Sequence, residues 1–369
     1  MNVIDQHTRR RIMRTGLTAL DKEHVCPGYI LYTPLFSPGT AYLIDREGRE
    51  VHRWDLPYPP GMYGYLLPNG NLFYMGKVRD ETWDRFPMWR WIKGGVLLEV
   101  DWTGRIVWEH VDPNHHHDAR RTAAGGAIYL TIERVPADIA TNVRGGLPGS
   151  DRDGMWADGI VEVDAAGRRI WEWHALEHLD PETDRLPANA SRREWSHANS
   201  IVPLPDERVL VSFRNISTLA IIDKRTGGFV WKLGPGVLAQ QHDPNLLPNG
   251  HILVFDNGIY RPQAELPFSR VIEIDPQTND IVWQYRDNPP YNFFSPLMSG
   301  TCRLPNGNTL ITEGAFGRLF EITPAGEVVW EYINPHFPPA LDGLPDNSVF
   351  RASHYLADEI LVELPDQVD

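Results

Sequence analysis

Residues 241–255 contain the most complete copy of a pattern that recurs along the chain; they are Gln241-His242-Asp243-Pro244-Asn245-Leu246-Leu247-Pro248-Asn249-Gly250-His251-Ile252-Leu253-Val254-Phe255. Residues 245–247 form a short apolar run, and Asn249-Gly250 supplies the positive-φ positions of a tight hairpin turn. Residues 252–255 are a β-branched and aromatic return strand. The pattern predicts a β-hairpin with His242 at the head of its first strand.

The same turn recurs along the chain, which indicates a repeat architecture. Residues 67–71 and 304–308 repeat it closely, residues 204–208 and 123–127 loosely, and residues 356–360 faintly. A second kind of hairpin carries an Asp or Thr turn and a tryptophan on its last strand; the six tryptophans are Trp54, Trp108, Trp171, Trp231, Trp283 and Trp330. Their spacing fits one four-stranded unit per period, which is typical of a β-propeller.

The order of the two hairpin types predicts how the ring closes. The first tryptophan hairpin, residues 40–56, precedes any hairpin of the first type, and the last hairpin of the first type, residues 348–363, has no tryptophan hairpin after it. Pairing of the two ends in one blade leaves no free edge. We therefore expect an all-β fold, a six-bladed β-propeller closed by pairing of N- and C-terminal strands in one blade.

Composition agrees with one large β domain. The chain has 369 residues, of which 42% are hydrophobic, and it contains 13 Trp, 31 Gly and 31 Pro. Such a chain can bury a large core, and its many turn formers suit short strands. Residues 1–27 are predicted to be a poorly packed N-terminal arm, and residues 28–369 a single β-propeller domain.

The charge balance excludes some partners. A formal net charge of −14 and the lack of any long basic cluster argue against nucleic-acid binding. No apolar stretch approaches the roughly 20 residues of a membrane span, and no apolar signal core is visible near the start. The expected location is the cytoplasm, without a membrane partner. Cys26 and Cys302 are expected to be reduced thiols, and no pattern indicates an oligomeric state.

Histidines at equivalent positions of separate repeats are the main candidates for a site. The first strand of each blade runs along the central channel, so residues at one offset before the turn form a ring. Six residues before the turn stand His242, His117, Ser299 and Met62; His197 and His354 need a small shift or bulge to join them. His115 and His116 are weaker candidates, because only one residue of a run of three can share the ring direction.

Other polar residues near these histidines carry two interpretations each. Asp118 and Asp243 follow ring histidines, and they either accept backbone N–H bonds between hairpins or hold an imidazole in one tautomer. Arg261, Arg214 and Arg351 lie near the histidines in sequence and either recognise an oxyanion or form structural salt bridges.

Three insertions interrupt the period at residues 79–93, 136–157 and 175–196. Each lies between strands and is therefore expected on a rim, where specificity loops are carried. The first is aromatic, with Trp83, Phe86, Trp89 and Trp91. Its aromatic residues either cap an aromatic substrate or pack against their own blade.

Three segments together resemble the arylsulfotransferase (aryl-sulfate sulfotransferase) family over roughly residues 28–355. They are residues 195–200 around His197, residues 241–243 with 254–258, and residues 313–322 with 328–332. The resemblance implies a six-bladed propeller whose channel transfers a sulfuryl group from one phenol to another through a sulfated histidine, without a nucleotide donor. It further implies that His197, His242 and Arg261 bind sulfate and act as acid or base.

The chain departs from that family at one expected position. Residues 294–300, where the nucleophilic histidine would be sought, contain none, so His354 or His117 would have to act instead. Known members are also secreted, whereas no signal is visible in this sequence.

Three functions therefore compete. The first is sulfuryl transfer between small substrates, for which the aromatic first insertion favours an aromatic ring, with no cofactor and using His117, His197, His242, Arg261 and His354. The second is a metal-dependent lyase or oxidoreductase in which His117, His197, His242 and His354 bind a divalent transition metal, iron, manganese, copper or zinc. The third is a non-catalytic binding propeller.

Overall fold

The computed structural model describes residues 14–262 and 264–362, and it contains six antiparallel sheets of a β-propeller. The strands of the first half are β1 (Gly16–Leu20), β2 (Tyr29–Pro34), β3 (Thr40–Ile44), β4 (Glu50–Asp55), β5 (Pro60–Leu66), β6 (Leu72–Lys77), β7 (Gly95–Val100), β8 (Ile106–Val111), β9 (His115–Arg121), β10 (Ala127–Arg134), β11 (Trp156–Val163) and β12 (Arg169–His174). The strands of the second half are β13 (Ala198–Leu204), β14 (Arg208–Phe213), β15 (Thr218–Asp223), β16 (Phe229–Leu233), β17 (His242–Leu246), β18 (Ile252–Asp256), β19 (Arg270–Ile274), β20 (Ile281–Tyr285), β21 (Gly300–Arg303), β22 (Thr309–Glu313), β23 (Arg318–Ile322), β24 (Val328–Ile333) and β25 (Val349–Tyr355).

Each blade has four strands in meander order, and the ring closes as predicted. The blades run β5 to β8, β9 to β12, β13 to β16, β17 to β20 and β21 to β24, and the sixth has the order β25-β2-β3-β4. In the sixth blade β25 pairs antiparallel with β2, with Tyr29 opposite Tyr355. The C-terminal strand is thus the innermost strand of a blade whose other three strands come from the N-terminal part of the chain. Among the described residues, which end at 362, no return strand follows residues 356–360, so the hairpin turn predicted there is wrong; a short 3₁₀ turn, Ala357–Glu359, occupies it.

The six repeated tryptophans join the blades to one another. Each indole N–H donates a hydrogen bond to a turn of the following blade; the acceptors are Asp101 O, Ala165 O, Lys224 O, Asn279 Oδ1, Pro324 O and Arg46 O, at 2.8 to 3.2 Å. The last of these bonds, from Trp330 to Arg46, crosses the point of closure. The regular spacing of these tryptophans in the sequence therefore corresponds to one hydrogen bond between neighbouring blades, repeated six times around the ring.

The repeated hairpin turns differ in detail from the prediction. Gly250 has φ of 86°, as a left-handed position requires, but Asn249 is not among the residues with positive φ. The turn closes with bonds from Gly250 N to Leu247 O and from Leu247 N to His251 O. Only glycine is needed there, because it carries no Cβ to clash in the left-handed region.

Part of the predicted N-terminal arm is ordered on the last blade. Residues 1–13 lie outside the described residues, whereas β1 pairs antiparallel with β24 as a fifth strand. Cys26, also within the predicted arm, is buried, and its N–H donates to Glu321 Oε1 at 2.7 Å. The expectation of a poorly packed arm is therefore wrong for this part, since backbone hydrogen bonds attach it to the sheet.

The three insertions contain the α-helices, α1 (Trp89–Ile92), α2 (Ala137–Asn142) and α3 (Ala175–His178), and a further 3₁₀ turn lies at each of Pro290–Asn292 and Gly314–Phe316. Within the described part of the chain, no helix has both the length and the apolar character needed to cross a membrane. Cys26 and Cys302 are free thiols, as predicted.

Candidate functional site

The innermost strands of the six blades stand side by side around the axis. Strands β5, β9, β13, β17, β21 and β25 each contact the next, and β25 contacts β5. A cavity of about 400 Å³ lies at the end where these strands begin. Every blade supplies to the lining of this axial cavity a residue near the start of its inner strand or one to two positions before it: Met62, His117, His197, His242, Met298 and Phe350.

Three of the predicted histidines therefore share one cavity. The rings of His117 and His197 lie edge to face with centroids 4.7 Å apart. The ring of Phe350 also lines the cavity, and its centroid lies 6.1 Å from the ring centroids of both His117 and His242. The inward aim of His117 and His197 comes from local backbone distortion, since both have positive φ, 51° and 48°, beside irregularities in strand register. Bulges of this kind re-aim side chains at strand ends.

Each of these imidazoles is held from outside the cavity through Nδ1. Nδ1 of His197 lies 2.8 Å from Glu194 Oε1, and Nδ1 of His117 lies 2.7 Å from Nδ1 of His116. Nδ1 of His242 lies 2.7 Å from Asn257 Oδ1. Nε2 of each of these three rings forms no hydrogen bond with another described residue, so it is the nitrogen available to a molecule in the cavity.

The tautomer of His242 follows from the bonds of Asn257. The Asn257 amide nitrogen donates to Ser295 O at 2.7 Å and to Ser299 Oγ at 3.2 Å, which directs its carbonyl oxygen toward His242. Nδ1 of His242 must then carry the proton, and Nε2 keeps its lone pair. Ser299, at the predicted ring offset, supports Asn257, while its neighbour Met298 lines the cavity.

Burial keeps two of the rings neutral at neutral pH. Burial, together with the nearby His197, holds the pKa of His117 well below its usual value. Burial and the Arg214 guanidinium do the same to the pKa of His242. A neutral imidazole has a free lone pair and can act as a nucleophile or a base.

Arg214 is the cation of the axial cavity. It follows β14, lines the cavity, and donates from Nη1 to Asn215 Oδ1 at 3.0 Å. It makes no salt bridge with a carboxylate among residues 14–262 and 264–362, and burial lowers its pKa to about 10. A partly buried guanidinium without a paired carboxylate is a binding group for an anion.

A charged layer closes the channel directly beneath the cavity. Tyr63, Asp118, Asp243 and Arg351 follow the lining residues by one position on their strands. Arg351 donates to Tyr63 Oη at 2.6 Å and lies 2.9 Å from Asp243 and 3.4 Å from Asp118. At Gly300 a Cβ would stand 2.9 Å from Arg351 Cγ, so the glycine leaves room for this arginine on the axis.

The two aspartates join neighbouring blades, which is one of the two predicted interpretations. Asp118 accepts from the backbone N–H of Ile201 at 3.0 Å, and Asp243 accepts from that of Thr301 at 2.8 Å. Neither bonds to the imidazole beside it in sequence. Arg351 accordingly belongs to this structural layer.

His354 is not part of the site. It lies near the opposite end of β25, and its Nε2 bonds to Pro27 O at 2.8 Å. Burial lowers its pKa to about 4. The prediction that His354 joins the ring, as nucleophile or as fourth metal ligand, is wrong, because the equivalent lining position of that blade is held by Phe350.

Arg261 is also absent from the lining of the axial cavity. Its guanidinium lies 3.0 Å from Asp256 Oδ2 and 4.2 Å above the Phe268 ring. This is the structural salt bridge of the two interpretations, and Arg214 takes the place expected for Arg261. Across the residues that the structure describes, no three His, Cys, Asp or Glu side chains are grouped so as to hold a metal ion.

The first insertion covers the axial cavity, and it also packs on its own blade. Met88, Trp91 and Ile92 line the cavity, and Trp91 meets Phe36 edge to face at 5.5 Å. Trp89 is fully buried instead. Lys77, on β6, stabilises this insertion by donating hydrogen bonds to the backbone carbonyls of Arg90 and Trp91 at 3.0 and 3.1 Å.

Lys77 should make stability depend on pH. Burial, reinforced by Lys93, lowers its pKa to about 7 from 10.5. Between these values the unfolded chain holds a proton that the folded chain lacks, so stability rises with pH. From pH 8 to 9.5 this amounts to about 2 kcal/mol, at about 1.4 kcal/mol per pH unit. Urea unfolding at pH 8 and pH 9.5 measures the rise in the free energy of unfolding between the two values. In Lys77→Met this rise should be smaller by about 2 kcal/mol.

The matched control is Lys22→Met, because the side chain of Lys22 is 76% exposed. It should retain the pH dependence of the unchanged protein. An equal gain in Lys77→Met and Lys22→Met would contradict the assignment to Lys77.

Some functional candidates were undervalued by sequence reasoning. Glu194 and Asn257 hold two of the ring histidines, and Phe350 supplies the sixth lining position, but no repeat marks them. The rule that only one histidine of residues 115–117 shares the ring direction makes His116 a weaker candidate. His117 is the one that lines the cavity, and His116 lies directly behind it and is fully buried.

A six-bladed propeller with three imidazoles and one arginine in an axial cavity defines the class of protein. The chain belongs to the arylsulfotransferase (ASST) family, whose model matches residues 93–335. The resemblance noted from the sequence is thereby confirmed.

Two curated relatives carry the name arylsulfate sulfotransferase AssT. The one from Lelliottia amnigena is 24% identical and the one from Escherichia coli O6:H1 is 22% identical; each alignment covers 76% of this chain. The chain spans only 58% of the length of either relative. Among solved structures, a protein of unknown function from Bacteroides caccae has a TM-score of 0.54 at 14% identity, over 89% of this chain and 99% of that one. That likeness concerns the fold alone.

Proposed function

We propose that the axial cavity transfers a sulfuryl group from an aryl sulfate to a phenol. The observation that carries the proposal is the convergence of three available Nε2 atoms and the unpaired Arg214 on one cavity of about 400 Å³. The rest of its lining is apolar or aromatic, including Met62, Trp91 and Phe350. Such a surface suits an aromatic ring, and the arginine suits the anionic group attached to it.

His117 is the proposed nucleophile. With residues 294–300 lacking a histidine and His354 outside the site, it is the candidate that remains, and its neutral ring offers a lone pair. In the first half-reaction Nε2 of His117 forms a bond to sulfur while the bond between sulfur and the aryl oxygen breaks. The products are a phenol and an N-sulfohistidine, and the guanidinium of Arg214 stabilises the sulfuryl oxygens.

His197 is the proposed proton carrier. It donates a proton from Nε2 to the leaving aryl oxygen, and the Glu194 carboxylate at Nδ1 orients its ring. In the second half-reaction the same nitrogen takes the proton of the acceptor phenol, whose oxygen attacks sulfur and frees His117. His242, with its lone pair on Nε2, accepts a hydrogen bond from the phenol hydroxyl as the phenol binds, before that proton passes to Nε2 of His197.

The test is a two-substrate assay with the purified chain. 4-Nitrophenyl sulfate as donor should release nitrophenol continuously when a phenol acceptor is present and stop after about one turnover when it is absent. Elemental analysis of the same preparation gives the metal content. No release of nitrophenol, or release proportional to a bound transition metal and lost on chelation, would contradict the proposal.

Arg214→Gln should lower kcat/KM for the aryl sulfate by about 10²-fold, as removal of one group that stabilises a developing oxyanion does. The comparison variant is Arg261→Gln, because the family resemblance points to Arg261 while the cavity contains Arg214. Steady-state kinetics on both variants, with thermal unfolding as a check on folding, measures the difference. A larger loss in Arg261→Gln than in Arg214→Gln would reverse the assignment.

A further inference from the structure

A chain of buried polar groups runs from His117 away from the cavity. Nδ1 of His117 lies 2.7 Å from Nδ1 of His116. Nε2 of His116 lies 3.0 Å from Thr131 O and 3.2 Å from Asp158 Oδ1. His116, His117 and Asp158 are all buried, with side chains no more than 3% exposed.

The carboxylate at the far end is fixed and ionised. Asp158 accepts from the backbone N–H of Ala198 at 2.8 Å, which ties it to the next blade. Burial acts to raise its pKa, but the bonds from His116, Ser196 and Ala198 hold it below its usual value. A buried carboxylate of this kind needs a donor, and His116 supplies it.

The position of each proton along the chain can be deduced. Nε2 of His116 faces only acceptors, the Thr131 carbonyl and the Asp158 carboxylate, so it carries a proton. With Nε2–H facing these acceptors, Nδ1 is the nitrogen of His116 that is left to accept. The short contact between the two Nδ1 atoms requires one donor, which we assign to Nδ1–H of His117. Nε2 of His117 is left with its lone pair on the cavity side.

We propose that His116 and Asp158 are positioning residues that hold His117 as the Nδ1–H tautomer and take up the positive charge formed when its Nε2 is sulfurylated. This inference rests on the proposed function for its catalytic part. Its tautomeric part concerns the free protein alone.

The charge can be followed through one turnover. When Nε2 of His117 bonds to sulfur, the aryl oxygen leaves with the bonding electron pair and the imidazole becomes cationic. The Nδ1 proton of His117 then shifts toward Nδ1 of His116, whose Nε2–H faces the Asp158 carboxylate. When the acceptor phenol takes the sulfuryl group, the proton returns to Nδ1 of His117 and the Nε2 lone pair is restored.

Two substitutions at one position separate the two contacts of His116. An Asn amide reaches the place of imidazole Nδ1, two bonds from Cβ, and keeps an acceptor for His117. A Gln amide reaches the place of Nε2, three bonds from Cβ, and keeps a donor for Thr131 and Asp158. His116→Asn thus preserves the acceptor for Nδ1–H of His117, and His116→Gln preserves the donor to Thr131 and Asp158.

The first readout needs no substrate. Long-range ¹H–¹⁵N spectra of the unmodified chain should show His117 protonated on Nδ1, and the same tautomer in His116→Asn but not in His116→Gln. The rate at which diethyl pyrocarbonate acylates His117, followed by peptide mass spectrometry, should fall in His116→Gln and be largely retained in His116→Asn. A proton on Nε2 of His117 in the unmodified chain would overturn the inference.

The second readout is transfer from 4-nitrophenyl sulfate. His116→Gln should lower kcat by about 10-fold to 100-fold, the range found for groups that orient a ligand histidine, with KM changed by less than about threefold. His116→Asn should recover most of kcat. Equal losses in both variants would overturn the positioning role. If the unmodified chain transfers no sulfuryl group but shows the expected tautomers, the proposed function fails and the tautomeric assignment stands.

Discussion

His117→Ala should lower the transfer of a sulfuryl group from an aryl sulfate by about 10³-fold or more, because removal of a nucleophile leaves only binding and oxyanion stabilisation. The physical basis is the lone pair on Nε2 of a neutral ring at the wall of a largely apolar cavity. Steady-state release of nitrophenol and the size of the first turnover, measured on the variant and the unchanged protein, provide the comparison. Mass spectrometry after brief exposure to the donor should find a sulfuryl adduct, about 80 Da, on the peptide containing His117 in the unchanged protein alone.

His354→Ala is the control for this prediction. His354 is a histidine of the same inner ring of strands, but it bonds to Pro27 O rather than lining the axial cavity. Its substitution should change the rate by less than about fivefold, within what a side chain outside the site contributes. Full activity in His117→Ala would show that His117 is not the nucleophile. Loss of activity in a His354→Ala variant that is still folded would show the same.

Arg351→Leu should destabilise the propeller by about 3–5 kcal/mol, the cost of breaking a buried ion pair by removing one partner. Arg351 is 5% exposed and lies against Asp118, Asp243 and Tyr63 on the axis. Its loss leaves two buried carboxylates from different blades with Arg120 as their remaining cation. Urea unfolding followed by tryptophan fluorescence should show a clear fall in the midpoint.

The comparison for Arg351 is an arginine on the surface. Arg53 pairs with Asp55 at 3.3 Å, and its side chain is 55% exposed. Arg53→Leu should cost no more than about 1 kcal/mol, because exposed ion pairs are screened by solvent. If the two variants unfold at the same urea concentration, the charged layer contributes nothing to closure of the ring.

The blade count and the closure were predictable because they rest on local, repeated chemistry. A tight turn, with glycine in five of the six hairpins, and a tryptophan four to six residues after that glycine recur from blade to blade, and each indole bonds to the next blade. Closure followed from the leftover strands at the two ends, since an unpaired edge is unfavourable. The same logic placed His117, His197 and His242 at equivalent strand ends.

The errors in the site have two separate causes. His354 is misplaced because the count starts from a hairpin turn that residues 356–360 do not form, and Phe350 and Arg351 occupy the cavity and axis positions of β25. Arg261 was selected by motif, whereas Arg214 reaches the cavity. Irregular register and positive φ at His117 and His197 are not visible in a pattern of residue types.

The all-β class, the number of blades and the strand ends that carry imidazoles follow from the residue pattern, because short-range turn and strand preferences repeat with a countable period. The contacts between side chains depend on the folded chain: the hydrogen bonds that join His116 to His117 and Asp158, the lack of a carboxylate partner for Arg214 among the described residues, and the charged layer around Arg351. His116 and Asp158 are brought together by the folding of one blade, whereas Arg351 meets Asp118 and Asp243 of other blades because the inner strands stand side by side around one axis.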